Sequence, residues 1–387
     1  MIDIDLHDIG LDGPIRVAGI VDVEHTDIGL VLHRLPAWAR RRYDDLALDL
    51  IETMPAGGRL EFAIEANDPG EIELDVQLTH VQTDSEPGTP ATFELVVDGE
   101  RVASSATRDG TLVLVDPGTG AVDIQPGGPT TVRFDLPAGT HRIEVWLPHA
   151  TGLQLLALRV GGCTVAPAFD SAARRWVHHG SSISHCFEAD SPMTTWPALV
   201  ARRVGLDLTC LAFAGQCQLD QFAARTIAAR PTDLVSLELG INIVNADSYR
   251  ERTFVPALHG FIDTIRDGHP TVPIVVMTPI ICPVAEDHPG PTRVVDGTCE
   301  VVPRPPALGV GALTLRRVRE LMATVVDDRR TDDPHLHLVD GLDLFGPDDV
   351  ADLHDGLHPD AAGYRRIADR WHDRIHGHGG PFADPPT

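Results

Sequence analysis

The 387-residue chain contains no lysine; all 31 of its basic side chains are arginine. A Walker A phosphate loop, a pyridoxal phosphate Schiff base, a lysine aldolase and a Ser-Lys dyad each require that ammonium group, so these chemistries are excluded. Positive charge is scarce as well, with 31 basic against 57 acidic residues and a formal net charge of -26. Nucleic acid and anionic membrane surfaces would be repelled by that field and are not expected as partners. Long apolar runs are missing too, none approaching the ~18 residues of a membrane span. The start, Met1-Ile2-Asp3-Ile4-Asp5, has neither the basic region nor the apolar core of a secretory signal. The six cysteines, Cys163, Cys186, Cys210, Cys217, Cys282 and Cys299, form no CxxC pair and no regular spacing. They read as reduced core thiols, and the expectation is a soluble cytoplasmic protein.

What is present divides into two rhythms. Residues 1–165 alternate apolar with polar, as in Arg59 to Ile64, Glu71 to Val76, Thr92 to Val97 and His141 to Trp146. That period of two predicts half-buried antiparallel strands, and many short ones predict a sandwich or jelly roll. Asp98-Gly99 and Asp109-Gly110 carry hairpin-turn chemistry. Residues 173–380 instead interleave apolar runs (Leu206 to Phe213, Leu234 to Leu239, Ile274 to Met277, Leu336 to Val339) with helical patterns such as Trp196 to Val204 and Leu313 to Val326. Buried strands alternating with helices predict an α/β domain, a parallel sheet covered on both faces with its reactive groups at the strands' carboxyl ends. The Pro/Gly-rich stretch 282–311 is long for a connector and suggests a lid or a substrate-lining loop.

Two motifs carry chemistry. Gly180-Ser181-Ser182-Ile183-Ser184 follows the apolar run Arg175-Trp176-Val177, so it reads as a strand entering a sharp turn that lifts the Ser182 hydroxyl to the top of a sheet. Asp355-Gly356-Leu357-His358-Pro359 places a carboxylate and an imidazole three residues apart before a helical segment. A serine hydroxyl needs a base to take its proton and a third group to orient that base, and these motifs supply all three. A Gly-x-Ser-x-Gly elbow of the α/β-hydrolase type keeps its acid and histidine on separate loops, which does not match.

These motifs resemble those of the SGNH, or GDSL, superfamily of serine esterases and acyltransferases, over about residues 173–375. The family's first block is Gly-Asp-Ser-Ile/Leu-Thr/Ser and its last is Asp-x-x-His-Pro. The resemblance implies a three-layer, flavodoxin-like catalytic domain, with Ser182 as nucleophile, His358 as base and Asp355 as its partner. It also implies an oxyanion hole formed by the Ser182 N–H, by Gly215 of Phe213-Ala214-Gly215-Gln216, and by Asn242 of Gly240-Ile241-Asn242. Two positions depart from the pattern. Ser181 replaces the aspartate of the first block, and Ile243 replaces the aspartate that follows the oxyanion asparagine, which leaves the Asn242 amide less braced. A branch with an amino-terminal β domain and a Gly-Ser-Ser-Ile-Ser/Thr-His-Cys first block is closer, and is similar to the salicyloyl transfer chemistry of tetracycline polyketide tailoring.

The expected activity is acyl transfer through an acyl-enzyme on a small-molecule ester or thioester, most simply as a carboxylesterase. Transfer of an acyl group from an acyl-CoA co-substrate to an alcohol acceptor, such as a hydroxyl of a polyketide, is the alternative. A carbohydrate-binding protein with a degenerate second domain is the rival from another class. No cofactor or metal is expected: His335, His337 and His354 lack paired ligands at known spacings. The adjacent His185 and Cys186 are poorly placed for a thiol mechanism. Asp355 could serve merely as the cap of the following helix; Arg304 in the long loop could bind an acidic substrate group, with a solvated arginine the plainer expectation. An ordinary histidine would give kcat/KM an acid limb near pH 6–7.

Overall fold

Alternation of period two builds the first half of the chain. In the strand Gly70–Gln82, the side chains of Ile72, Leu74, Val76 and Leu78 are buried while the residues between them are half-buried or exposed. This strand belongs to an eight-stranded sheet, whereas Arg59–Ala66, Ala91–Val97 and Gly139–Trp146 belong to a seven-stranded one. One continuous core takes Leu30, Leu74 and Leu155 from the first sheet and Phe62, Phe93 and Val145 from the second, so the two sheets form a sandwich. This computed structural model describes residues 1–83, 88–116, 119–167, 173–295 and 297–383.

The two Asp-Gly turns behave differently. Asp98 (φ 52°) and Gly99 (φ 89°) are both left-handed and join Ala91–Val97 to its antiparallel partner Glu100–Thr107, as a two-residue hairpin requires. Asp109-Gly110 makes no hairpin. The strand after it, Thr111–Val115, leaves for the other sheet and pairs in parallel with Thr79 to Gln82. The glycine there serves close approach: a Cβ on Gly110 would stand 2.5 Å from the Leu78 carbonyl oxygen.

The chain separates into two compact units, the first comprising residues 1–173 with 190–193 and 207–210, the second 174–189, 194–206 and 211–383. The α/β half has a five-stranded sheet of β1 (Arg175–Gly180), β2 (Asp207–Ala212), β3 (Leu234–Glu238), β4 (Ile274–Met277) and β5 (Leu336–Val339) in the order 2-1-3-4-5. The β1–β3, β3–β4 and β4–β5 pairings are parallel. The helices are α1 (Ser182–His185), α2 (Trp196–Val204), α3 (Gln221–Ala229), α4 (Ile241–Asn245), α5 (Glu251–Gly268), α6 (Leu315–Arg329), α7 (Gly341–Leu344) and α8 (Ala361–Trp371). Both β3 and β4 are buried along their whole length, as strands covered on two faces must be. The strand order reverses between β1 and β3, and such a switch point opens a crevice at the strands' carboxyl ends. Among the described residues, no helix is long and apolar enough to cross a membrane.

Stretch 282–311 has structure of its own. Short 3-10 turns at Pro283–Ala285 and Pro306–Gly309 flank a hairpin of Thr292–Val295 with Thr298–Val301. Residue 296 lies outside the described residues.

Three tryptophans fasten the helices to the sheet. Trp176 of β1, Trp196 of α2 and Trp371 of α8 are fully buried, with the Trp196 and Trp371 rings 5.1 Å apart and the Trp176 and Trp371 rings 6.2 Å apart. Trp371→Ala therefore opens a cavity at the end of α8. It is expected to cost about 3–5 kcal/mol of stability, read as a lower midpoint in denaturant-induced unfolding.

Candidate active site

The Ser182 turn is assembled from close approach and one buried carboxylate. β1 ends at Gly180, where a Cβ would meet Ser184 Oγ at 2.6 Å and Glu238 Oε2 at 2.9 Å, so only glycine fits. Ser181 caps α1, its Oγ accepting from the Ile183 N–H at 3.1 Å. Glu238, at the end of β3, accepts from the Ser181 N–H at 2.7 Å, from Ser181 Oγ at 2.6 Å and from Ser184 Oγ at 3.3 Å. Burial raises the Glu238 carboxyl above its usual range, and the three bonds from the serines only partly offset this. The Trp196 indole donates to the Ile183 carbonyl at 3.0 Å, tying the turn to the tryptophan cluster.

The second motif forms a tight loop before α8. Asp355 Oδ1 accepts from the N–H groups of Leu357 and His358, at 2.9 and 2.8 Å. Its Oδ2 meets His358 Nδ1 at 2.8 Å, and His358 Nε2 meets Ser182 Oγ at 2.9 Å. Capping is not the task of Asp355: Asp360 caps α8, accepting from the Gly363 N–H at 2.8 Å. Burial alone would raise the Asp355 carboxyl, but the bonds from His358 outweigh it and hold the group at about 2. Burial would likewise lower His358; the carboxylates of Glu188 and Asp355 overcome this and lift it to about 9. The ordinary value expected from sequence is thus corrected upward, because the sequence does not reveal the second carboxylate.

Three hydrogen-bond donors share the cleft with Ser182. Its own N–H is an orphan of the first helical turn. Gly215 (φ 73°) sits in the turn closed by Gln216 N–H to the Phe213 carbonyl at 2.9 Å, with open space where a Cβ would be. Asn242, on α4 after β3, accepts at Oδ1 from the Cys217 N–H at 3.1 Å, which leaves its NH2 to donate. That bond supplies the brace missing at Ile243, which is buried. Among the described residues neither the two N–H groups nor the Asn242 NH2 has a protein acceptor. The open cleft they line holds about 320 Å³, with Phe187, Glu188, Ala214, Asn245, Ala246 and Leu357 also in its walls.

Residues 179–366 match the GDSL-like lipase/acylhydrolase family. This stretch is a GDSL-like lipase/acylhydrolase domain. Over 92% of each chain the protein is similar to the salicylyl-acyltransferase SsfX3 from a tetracycline biosynthetic pathway, at 25% identity and a TM-score of 0.75. It shares its fold with a GDSL-like lipase of Bacteroides ovatus (17% identity, TM-score 0.64, 97% and 96% coverage). It also shares it with a family two carbohydrate esterase of Clostridium thermocellum (16% identity, TM-score 0.56, 84% and 93% coverage). No curated protein matches the sequence. The protein is a serine hydrolase or acyltransferase, which sets aside a pure carbohydrate-binding role.

The remaining residues singled out from sequence fall elsewhere in the GDSL domain. Cys186 and His185 are buried, and the Cys186 thiol donates to the Ile183 carbonyl at 3.3 Å. His337 lies in β5, His335 just before it, and His354 bonds through its N–H to the His358 carbonyl at 2.7 Å. Among the described residues no group of three or more such side chains is placed to hold a metal. Arg304 is not a solvated arginine: it pairs with Asp247 at 2.9 Å with a side chain 13% exposed. Stretch 282–311 touches the Asp355 loop through the Cys299 N–H to the Asp355 carbonyl (2.8 Å) and Cys282 Sγ to the Gly356 carbonyl (3.6 Å). Sequence reasoning missed Glu238, Cys217 and Glu188, for which no local motif signals a role.

Glu238 is where this geometry is most exposed to mutation. Glu238→Ala takes the acceptor away from the buried Ser181 N–H and from the Ser181 O–H, at about 1–3 kcal/mol for each buried group. The expected result is a lower melting temperature together with a kcat loss of tenfold or more on the order of an oriented contact. Glu238→Gln, which keeps an acceptor in place, is expected to retain most of both; steady-state kinetics and a melting curve on the two variants read the difference.

Proposed function

We propose that the protein transfers acyl groups through a covalent Ser182 acyl-enzyme, acting on a small-molecule ester or thioester, with water as the ordinary acceptor. The observation that carries this reading is the continuous line of bonds in an open cleft, Ser182 Oγ to His358 Nε2 and His358 Nδ1 to Asp355 Oδ2. Ser182 Oγ attacks the carbonyl carbon while His358 Nε2 takes its proton, and Asp355 steadies the imidazolium without itself becoming protonated. The carbonyl oxygen becomes an oxyanion facing the Ser182 and Gly215 N–H groups and the Asn242 amide. His358 then returns its proton to the leaving alcohol or thiol. Water, activated by the same imidazole, releases the acid and restores Ser182.

A second reading has its own support. The likeness to a salicylyl-acyltransferase extends over 92% of both chains. On that reading an alcohol replaces water at the acyl-enzyme, and the acyl donor is a thioester such as an acyl-CoA. Chemistry up to the acyl-enzyme is common to both, so product analysis with and without a competing alcohol separates them.

Ser182→Ala is expected to abolish turnover and covalent labelling by a fluorophosphonate while leaving the melting curve in place; turnover above a few per cent would assign the nucleophile elsewhere. Asn242→Ala is expected to lower kcat by about 10²–10³ with little change in KM, because a donor to the oxyanion acts mainly in the transition state. The Cys217 brace puts that loss at the full size of an oriented donor. An unchanged kcat would leave the oxyanion to the backbone donors alone.

A further inference from the structure

Beside the proposed triad stands a carboxylate to which that reading gives no part. Glu188 comes two residues after Cys186, whose left-handed backbone (φ 61°) ends α1, and it lines the cleft. Its Oε1 lies 3.9 Å from His358 Nδ1, on the edge of the ring that already meets Asp355. Its Oε2 accepts from the Tyr364 hydroxyl at 2.6 Å. Tyr364 is fully buried in α8, and burial pushes its phenol well above the ordinary range, which keeps it a donor. Glu188 is therefore held in place from behind, its side chain only 22% exposed. With one oxygen on Tyr364 and the other toward Nδ1, its charge is directed at the ring, on the edge away from Ser182.

We propose that Glu188 is a positioning residue, a second carboxylate that with Asp355 keeps the His358 proton on Nδ1 and stabilises the imidazolium formed when Nε2 takes the Ser182 proton. The inference rests on the Ser182 mechanism above. No additional proton moves: Nδ1 retains its own, and both carboxylates stay as they are. His358 is faced by Asp355 from its own loop, Glu188 from the segment after α1, Ser182 from α1 and the Cys299 thiol from the strand Thr298–Val301. Of these only Asp355 and Glu188 are carboxylates, so removing the Glu188 charge leaves one to oppose the desolvation of the ring. A nearby opposite charge raises a histidine, so its loss lowers the acid limb of the rate profile.

Glu188→Gln tests this, because it keeps the shape and an oxygen for Tyr364 while deleting the charge. The rate of labelling by a fluorophosphonate is followed on the full chain across roughly pH 5–10, with Ser182→Ala as the unlabelled control. The acid limb of Glu188→Gln is expected to move down by about one pH unit, with a plateau lower by up to about tenfold. KM for a chromogenic ester is expected to change by less than about twofold, as for a group that acts on the base rather than on the substrate. Tyr364→Phe, which loosens Glu188 but leaves its charge, is expected to move the limb the same way by a smaller amount. A limb that stays in place in Glu188→Gln, with or without a rise in KM, overturns the proposal and leaves the Ser182 mechanism standing. Wild-type protein that is never labelled overturns the serine mechanism itself, and this inference with it.

Discussion

The contact between Ser182 Oγ and His358 Nε2 joins two loops 176 residues apart, and its 2.9 Å length requires each loop to be set independently. Neither loop is held by the contact itself, since a single hydrogen bond contributes only about 1 kcal/mol net. The Ser182 turn is held from below by Glu238 and from the side by Trp196. The His358 loop is held by its own Asp355 and by the cap of α8 at Asp360. The hairpin of stretch 282–311 adds the bond from Cys299. The sheet brings both loops to the carboxyl ends of its strands, where the reversal of strand order leaves room for a ligand. The fold thus supplies location, and a few buried polar bonds supply the last few tenths of an ångström.

The charges around this contact are arranged in one sense. Asp355 and Glu188 stand on the Nδ1 side of His358, while the three donors on the Ser182 side are uncharged amides. In the proposed mechanism a positive charge develops on the imidazole and a negative one on the carbonyl oxygen. Carboxylates near the first and neutral N–H groups near the second stabilise both without a cation in the cleft. That solution suits a chain with no lysine and a net charge of -26, because fixed dipoles need no counter-charge and undergo little reorganisation during reaction.

What was readable in the sequence was whatever the chemistry writes locally. The three-residue spacing of Asp355 and His358 fits the loop in which one carboxylate accepts two backbone N–H groups and orients the ring. The strands Ile274–Met277 and Leu336–Val339 and the helix Trp196–Val204 appear with the bounds their patterns suggested. Interactions that depend on distant segments were not readable. Glu238 reaches Ser181 from 57 residues away, and Cys217 braces Asn242 from 25. Asp109-Gly110 carries the same turn chemistry as Asp98-Gly99, yet its following strand pairs in the other sheet. Local turn preference sets the bend, whereas strand partners are chosen by the whole core.

In the proposed mechanism the same imidazole activates water in a hydrolase and an alcohol in a transferase, so the proposed triad is indifferent to the acceptor. Discrimination falls to the walls of the cleft, where Phe187, Leu357 and Ala246 supply apolar surface and Asn245 a further amide. An acceptor that covers these walls excludes water from the acyl-enzyme and strengthens every electrostatic contact inside. A small alcohol that covers little of them leaves water in molar excess at the same carbonyl. On physical grounds, the balance between hydrolysis and transfer is therefore a property of how much apolar surface the acceptor buries, and the residues that set it lie beside the reacting groups rather than among them.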